Sequence, residues 1–287
     1  MKKVVVALDG GLGNQMFQYA AGRALASRTS APLVLDLRPL LQRGHRPYGL
    51  SDFAFGTPVE MLTEGMPPRS TGRLRRFFDR LSGGGITFHE AGFPFDGRIL
   101  HAKPPVRLEG YFQSERYFMD SAATIRADFT PKHVLRKEIE ALANRLLPTG
   151  PSVSLHIRRG DYTDPQTMAV HGLLGPDYYA QALRLIAEQT SSELTVCVFT
   201  DDPAWVRAHL PLPASARYIS EHTRSALQDL MLMSHCSHHI TANSSFSWWG
   251  AWLNPNKDKI VVTPKHWFQP SSGLDTRDLR PASWLTA

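Results

Sequence analysis

At 287 residues the chain exceeds what one compact core comfortably holds, so one large or two medium α/β domains are expected, and 42% hydrophobic with 10% aromatic content excludes a disordered polymer. The net charge of +6, with twelve histidines counted neutral, points to an anionic partner without choosing among nucleotide, nucleic acid and lipid. No run approaches the roughly 20 apolar residues that span a bilayer, and Met1-Lys2-Lys3 leads straight into a short strand; with Cys197 and Cys236 lacking C-x-x-C spacing, a cytoplasmic protein without disulfides is expected.

Residues 3–8 are β-branched and apolar, residues 9–15 make a glycine-rich turn, and residues 16–27 have helical periodicity. In D-G-G-L-G-N-Q, Gly11 and Gly13 let backbone approach a ligand, and a helix opening near Asn14 presents N–H groups to an anion. A turn with no ligand is the plain alternative. A nicotinamide fingerprint competes as well, because Asp36 closes the next apolar run where a ribose-binding acid is expected. Met16 stands where that fingerprint has its third glycine and no Walker lysine follows, so a nicotinamide oxidoreductase remains only as an alternative.

Residues 38–105 are looser in pattern. Over 69–81, Leu74, Phe77, Phe78 and Leu81 share a helical face while Arg69, Arg73, Arg76 and Arg80 lie largely elsewhere. Such a helix either packs by its apolar side or lies on an anionic membrane, and a nucleic-acid-binding face is a further alternative. Residues 108–119, L-E-G-Y-F-Q-S-E-R-Y-F-M, interleave aromatics with polar groups, which suits stacking on sugar rings or core packing. A helix over 125–147 is interrupted near Pro131, and L-P-T-G-P at 147–151 reads as a linker between domains at 1–147 and 152–287.

Beyond the linker, strands near 153–157, 194–200, 216–220, 238–242 and 259–263 alternate with helices near 177–190, 203–210, 225–236 and 245–254, the pattern of a parallel doubly wound sheet. Three strand ends carry polar clusters: H-I-R-R-G-D-Y from His156, F-T-D-D-P from Phe199 and T-A-N-S-S-F-S-W-W from Thr241. In parallel strands these share the carboxyl edge, where open α/β sheets bind ligands. Arg158 and Arg159 offer planar donor forks suited to a pyrophosphate; the plain alternative is an arginine paired with Asp161 to hold the loop. Asn243, Ser244 and Ser245 lie where a helix begins, either to receive further phosphate oxygens or as an ordinary cap. The ligand-like His235, Cys236, His238 and His239 straddle a helix end and a strand, and no D-x-D triplet occurs, so no metal site is expected. No persuasive carboxylate pair marks a glycosidase.

Five segments in this order, G-G-L-G-N-Q-M-F-Q-Y-A at Gly10, E-G-Y-F-Q-S-E-R-Y-F at Glu109, H-I-R-R-G-D-Y at His156, F-T-D-D at Phe199 and A-N-S-S-F-S-W-W-G-A-W-L at Ala242, resemble bacterial α-1,2-fucosyltransferases of glycosyltransferase family 11. Together they span nearly the whole chain, whereas H-x-R-R-x-D alone is shared by fucosyltransferases of other linkages. The resemblance implies an α/β fold of GT-B type, two Rossmann-like domains facing a central cleft, with the first on the acceptor side and the second binding the donor. It implies inverting transfer of L-fucose from GDP-β-L-fucose to O2 of a terminal galactose, without metal or cofactor.

Carried over by position, Arg158 holds the β-phosphate, while Arg159 and Asp161 brace the loop or reach the donor. His156 and Asp229 match positions that meet guanine or ribose. Thr200 and Asp201 of F-T-D-D, Asn243, and the turn Ser244, Ser245 and Phe246 fall on the donor side, and Gly11, Gly13 and Asn14 match the loop facing the sugar diphosphate. A positioned guanidinium can replace Mg²⁺ in taking up the charge of the departing phosphate. Asp161 is the candidate base for the acceptor hydroxyl; Asp164 lies near the same loop, and Glu221 and His171 are outsiders. The acceptor implied is a galactose-terminated oligosaccharide or lipid-linked glycan of O-antigen or capsule assembly, met in the cytoplasm or in peripheral contact with the inner face of its membrane, with no nucleic acid involved.

Overall fold

A computed structural model of the chain describes residues 2–44, 46–65, 86–190 and 192–287. The amphipathic segment expected over residues 69–81 lies outside the described residues. Among the described residues no helix is long and apolar enough to cross a membrane. The chain divides into two compact units, Met1–Lys132 with Arg277–Leu279, and His133–Thr276 with Arg280–Ala287.

The first unit holds five parallel strands, β1 (Val4–Ala7), β2 (Leu33–Asp36), β3 (Glu60–Leu62), β4 (Ile86–His89) and β5 (Val106–Glu109), in the order β3-β2-β1-β5-β4. Val4 and Val6 of β1 are fully buried. Helix α1 (Leu12–Thr29) crosses beside them and approaches closest at Gly22, where a Cβ would come within 2.2 Å of Val6 Cγ2. The close helix–strand packing that a third fingerprint glycine would supply at Met16 is therefore made two turns later. Helix α2 (Arg38–Arg43) follows β2. Pro131 interrupts the expected 125–147 helix, as anticipated: α3 (Ala122–Asp128) ends before it and α4 (His133–Leu146) starts after it.

Helix α4 belongs to the second unit, so the units divide at Lys132 and His133 rather than at the 147–151 linker. The reason is packing: α4 lies on α8 (Ala226–Ser234), and Arg217 Nη1 donates to the Leu146 carbonyl at its end. The second sheet contains β6 (Ser152–Ile157), β7 (Thr195–Thr200), β8 (Arg217–Tyr218), β9 (His238–Ile240), β10 (Val261–Thr263) and β11 (Leu285–Thr286), all parallel, in the order β11-β10-β9-β6-β7-β8. Helices α5 (Pro165–His171), α6 (Pro176–Gln189), α7 (Pro203–His209) and α9 (Ser245–Leu253) complete it. Val153, Leu155 and Ile157 of β6 pack with Val196, Val198, Ile240 and Val262 against Tyr179, Ala182 and Ile186 of α6. Burial on both faces is why these strands read as continuous apolar runs rather than alternating ones. Most expected elements lie within two residues of their observed ends; the strand expected over 216–220 is only two residues long because the chain turns into a 3-10 helix at Ile219–His222.

Both sheets reverse direction once. The first chain segment builds outward from β1 through β2 to β3, then returns to place β5 on the other side of β1. The second builds from β6 through β7 to β8, then returns to place β9 beside β6. Loops leaving the carboxyl ends diverge at such reversals and open a crevice there.

Under the second sheet, His239 is almost fully buried, with Nδ1 at 2.8 Å from Ser154 Oγ and Nε2 at 2.8 Å from Asn254 Nδ2. The amide of Asn254 donates to Nε2, so Nδ1 carries the proton and donates to Ser154, and the imidazole is neutral. Burial, with Lys259 and His238 adding repulsion, holds its pKa down to about 3. Burial and the neighbouring Arg158 do the same for His156, also to about 3. Unfolding returns both rings to a pKa of about 6.5, so the unfolded chain binds more protons between these values. Stability is expected to hold above pH 6.5 and to fall as pH drops toward 3, by up to about 1.4 kcal/mol per pH unit for each ring. Urea unfolding at pH 7, 6 and 5 measures that slope.

Candidate active site

In the first unit the glycine turn sits between β1 and α1, beside the reversal at β5. Gly10 has φ +77, a left-handed conformation that favours glycine, and a Cβ there would lie 2.6 Å from Asn14 Nδ2. Gly11 caps α1 with extended backbone, and the first helical turn carries no acidic side chain, an arrangement suited to an anion. Helix α1 opens at Leu12, so Asn14 is its third residue; its Oδ1 accepts from Gln113 Nε2 at 2.8 Å.

Two buried glutamines of α1 hold this turn. Gln15 Nε2 donates to the Gly10 and Pro47 carbonyls at 2.8 and 2.9 Å, and its Oε1 accepts from Gly49 N. Gln18 Oε1 accepts from Asp9 N and its Nε2 donates to the Gly110 carbonyl, joining the turn after β1 to the turn after β5. Sequence reasoning passed over Gln15, Gln18 and Gln113, although all three lie inside the quoted motifs. The signal was present as glutamines at three-residue spacing inside an otherwise apolar helical face. The aromatics of the Glu109 motif resolve to core packing, with Phe112, Tyr117 and Phe118 buried. Glu90, its pKa raised by burial, accepts from the Tyr111 and Phe112 N–H groups and shapes the turn from below. Asp36 is fully buried and bonded by Arg38 and Arg107, at 2.7 and 2.6 Å, so it does not face a ribose.

In the second unit the strand-end clusters flank the reversal between β6 and β9. Arg158 leaves the tip of β6 with Nη2 2.6 Å from Asp161 Oδ1 and Nη1 2.7 Å from Asp201 Oδ2. Asp201 lies just past β7, which pairs directly with β6 up to Ile157 and Thr200. Its other oxygen accepts the Arg159 N–H at 2.9 Å. Gly160 makes room for this: a Cβ there would meet Asp201 Oδ2 at 2.7 Å. Arg159 points elsewhere, with Nε 3.1 Å from Asp202 Oδ2 and its guanidinium 4.1 Å from the centre of the Trp205 ring. Asp202 also caps α7 by accepting from Trp205 N, so Arg159 is a brace between loop and helix.

His156 is buried, its ring 5.7 Å from that of Phe246 at the start of α9. Its Nδ1 is buried and meets no hydrogen-bond partner among the described residues. Ser244 caps α9 by accepting from Phe246 N, with Ser245 as the first helical residue, and Ser247 Oγ accepts from Ala242 N. Asn243 donates to the His171 and Trp267 carbonyls, and Tyr162 OH donates to the Asn243 carbonyl, tying the loop after β6 to the loop after β9. Asp229 is half-buried, and desolvation raises its pKa more than its two hydroxyl donors, Ser220 and Thr223, lower it. Ser220 Oγ in turn accepts from Thr200 N, linking Asp229 to the tip of β7.

The structure thus gathers His156, Arg158, Asp161, Asp201, Asn243, Ser244, Ser245 and Phe246 around one strand reversal, with Thr200 and Asp229 joined one strand further along. Gly11, Gly13 and Asn14 lie at the corresponding reversal of the first unit. Of the other base candidates, Asp164 caps α5 and Glu221 is paired through both oxygens with Arg207. His171 packs its ring between Tyr162 and Phe268, and burial lowers its pKa. Among the described residues no group of three or more His, Cys, Asp or Glu side chains is placed to hold a metal ion.

The family model described as glycosyl transferase family 11 matches residues 100–280. An Escherichia coli α-1,2-colitosyltransferase is 33% identical over 295 residues, 99% of each chain. The E. coli O-antigen biosynthesis glycosyltransferase WbnK is 34% identical over 97% of this chain and 98% of its own. A galactoside α-(1,2)-fucosyltransferase 1 from Plecturocebus brunneus is 26% identical over 85% of this chain and 63% of its own. Among solved structures, NodZ α-1,6-fucosyltransferase co-crystallised with GDP superposes with a TM-score of 0.51 at 18% identity, over 87% of this chain and 91% of that one. A mutant of Arabidopsis thaliana FUT1 in complex with GDP does so with a TM-score of 0.55 at 14% identity, over 99% of this chain and 76% of that one. These last two show the fold, which is of GT-B type.

Gln15→Leu keeps the side-chain volume but leaves the Gly10 and Pro47 carbonyls and the Gly49 N–H without their partner. It is expected to destabilise the protein by about 2–4 kcal/mol, since each of the three lost hydrogen bonds to partly buried backbone is worth roughly 0.5–1.5 kcal/mol; chemical denaturation checks this.

Proposed function

The chain belongs to glycosyl transferase family 11, and from that premise we propose that it transfers L-fucose, with inversion, from GDP-β-L-fucose to O2 of a terminal galactose, without metal or cofactor. The observation that carries this reading is the guanidinium of Arg158 at the tip of β6, beside the reversal where an α/β sheet takes a nucleotide. Breaking the glycosyl–phosphate bond leaves negative charge on the β-phosphate. A fixed guanidinium stabilises that charge more in the transition state than in the ground state. His156, neutral and buried beside Phe246, and Asp229, held by two hydroxyls, then form the nucleoside end of the site. The capped start of α9 at Ser244 and Ser245 supplies dipole to the phosphates. Asp161 receives the proton of the attacking galactose hydroxyl.

The near full-length similarity to an α-1,2-colitosyltransferase favours a second reading, in which the donor sugar is colitose. Colitose lacks the 3-hydroxyl of fucose, so the two readings differ in one hydrogen-bonding group on the sugar and share the phosphate chemistry. The acceptor in either case is a galactose-terminated glycan, encountered in the cytoplasm or at the inner face of its membrane.

Transfer to lactose and related galactosides from a panel of nucleotide sugars, with chelator present, decides the donor. Fucose transfer unaffected by chelation is expected, and loss of activity on chelation overturns the role given to Arg158. Arg158→Ala is expected to lower kcat roughly a hundred- to a thousandfold, the range seen when one stabilising donor is removed. Asp161→Asn is expected to suppress transfer while leaving donor hydrolysis unchanged; near-normal transfer removes Asp161 from the mechanism.

A further inference from the structure

The charges around Arg158 do not favour a diphosphate in the arrangement observed. Two guanidiniums, Arg158 and Arg159, meet three carboxylates, Asp161, Asp201 and Asp202, leaving a formal excess of one negative charge at the proposed phosphate position. Asp202 is occupied with Arg159 and the α7 cap, and Asp161 sits on the same short loop as Arg158. Asp201 differs from both. It comes from the neighbouring strand, and one of its oxygens is on Arg158 Nη1 while the other is on the Arg159 backbone N–H. The absence of a side chain at Gly160 is what admits it so close.

We propose that Asp201 is a positioning residue that competes with the donor diphosphate for Arg158: it holds the guanidinium aimed at the strand tip in the free protein and yields its Nη1 hydrogen bond to a phosphate oxygen on binding. This rests on the donor reading above and reassigns Asp201 from donor contact to counter-ion of the arginine. A phosphate oxygen and the Asp201 carboxylate seek the same donors, and two anions on one guanidinium repel. The contact weakens nucleotide binding and in return keeps a long side chain ordered where the leaving charge develops. Ordering of that kind acts on kcat rather than on ground-state affinity.

The test is Asp201→Asn, which keeps a carbonyl oxygen for the Arg159 N–H and removes only the charge. Calorimetric titration with GDP is expected to give binding about three- to tenfold tighter than in the unmodified protein, with the gain shrinking as salt rises. With the donor and acceptor found in the panel, KM for the donor is expected to fall and kcat to fall as well, about tenfold. A merely structural role predicts weaker or unchanged GDP binding, and that result overturns the proposal. Asp201→Ala, which removes the charge and also abandons the backbone contact, is expected to tighten GDP binding no more than the asparagine variant does; weaker binding by both variants overturns the proposal. Thermal unfolding of both variants verifies folding. If the unmodified protein does not bind GDP at all, the donor reading itself falls and this inference with it, whereas GDP binding that Asp201→Asn does not tighten sinks this inference alone.

Discussion

The guanidinium of Arg158, caught between Asp161 on its own loop and Asp201 on the adjacent strand, depends on β6 and β7 running side by side in parallel to the same level. Their pairing continues to Ile157 and Thr200, so the next residues of both strands emerge together. A slip of one residue would turn every side chain of one strand to the opposite face and separate the pair. The apolar packing of β6 and β7 against α6 therefore does more than stabilise the second unit. It sets the register on which the charge cluster rests.

The same problem is solved differently in the first unit. There Asp9 of the turn after β1 pairs with the exposed Arg43 and accepts the Gly10 N–H, and the remaining order comes from neutral amides of one helix. Gln15 and Gln18 reach into the turns after β1 and β5 and to Gly49, satisfying partly buried backbone groups. A glycine-rich turn can keep a defined shape only if something outside it supplies the order that glycine lacks. Carboxylates would carry charge into that role, and aliphatic side chains would leave the backbone unmet, so an amide is the side chain that fits. Glu90 and Asp9 are the exceptions, half-buried carboxylates that accept from backbone N–H groups.

Much of this was legible beforehand. The strand and helix limits of the second unit follow from runs of β-branched residues and from the cap at Ser244, and the resemblance to glycosyltransferase family 11 agrees with the family match over residues 100–280. The unit boundary was placed too late because L-P-T-G-P has the composition of a linker, whereas the partner of α4 is a helix some eighty residues downstream. Buried glutamines were missed for a related reason: a polar residue in an apolar stripe is informative only once its backbone partners are known. The nicotinamide alternative rested on the spacing of Asp36, and spacing carries no information about the two arginines that enclose it.

In the second unit local sequence alone determined which segments are strands, where helices begin, and which residue types stand at the strand ends, because these depend on hydrophobic period and capping over a few residues. Which strand lies beside which was decided only in three dimensions. Sheet order brings β9 back against β6, sets Asp201 against Arg158, and turns Arg159, its chemically identical neighbour, away to Asp202 and Trp205. Adjacent residues leaving a strand point to opposite sides, and what each then meets is set by elements tens of residues away.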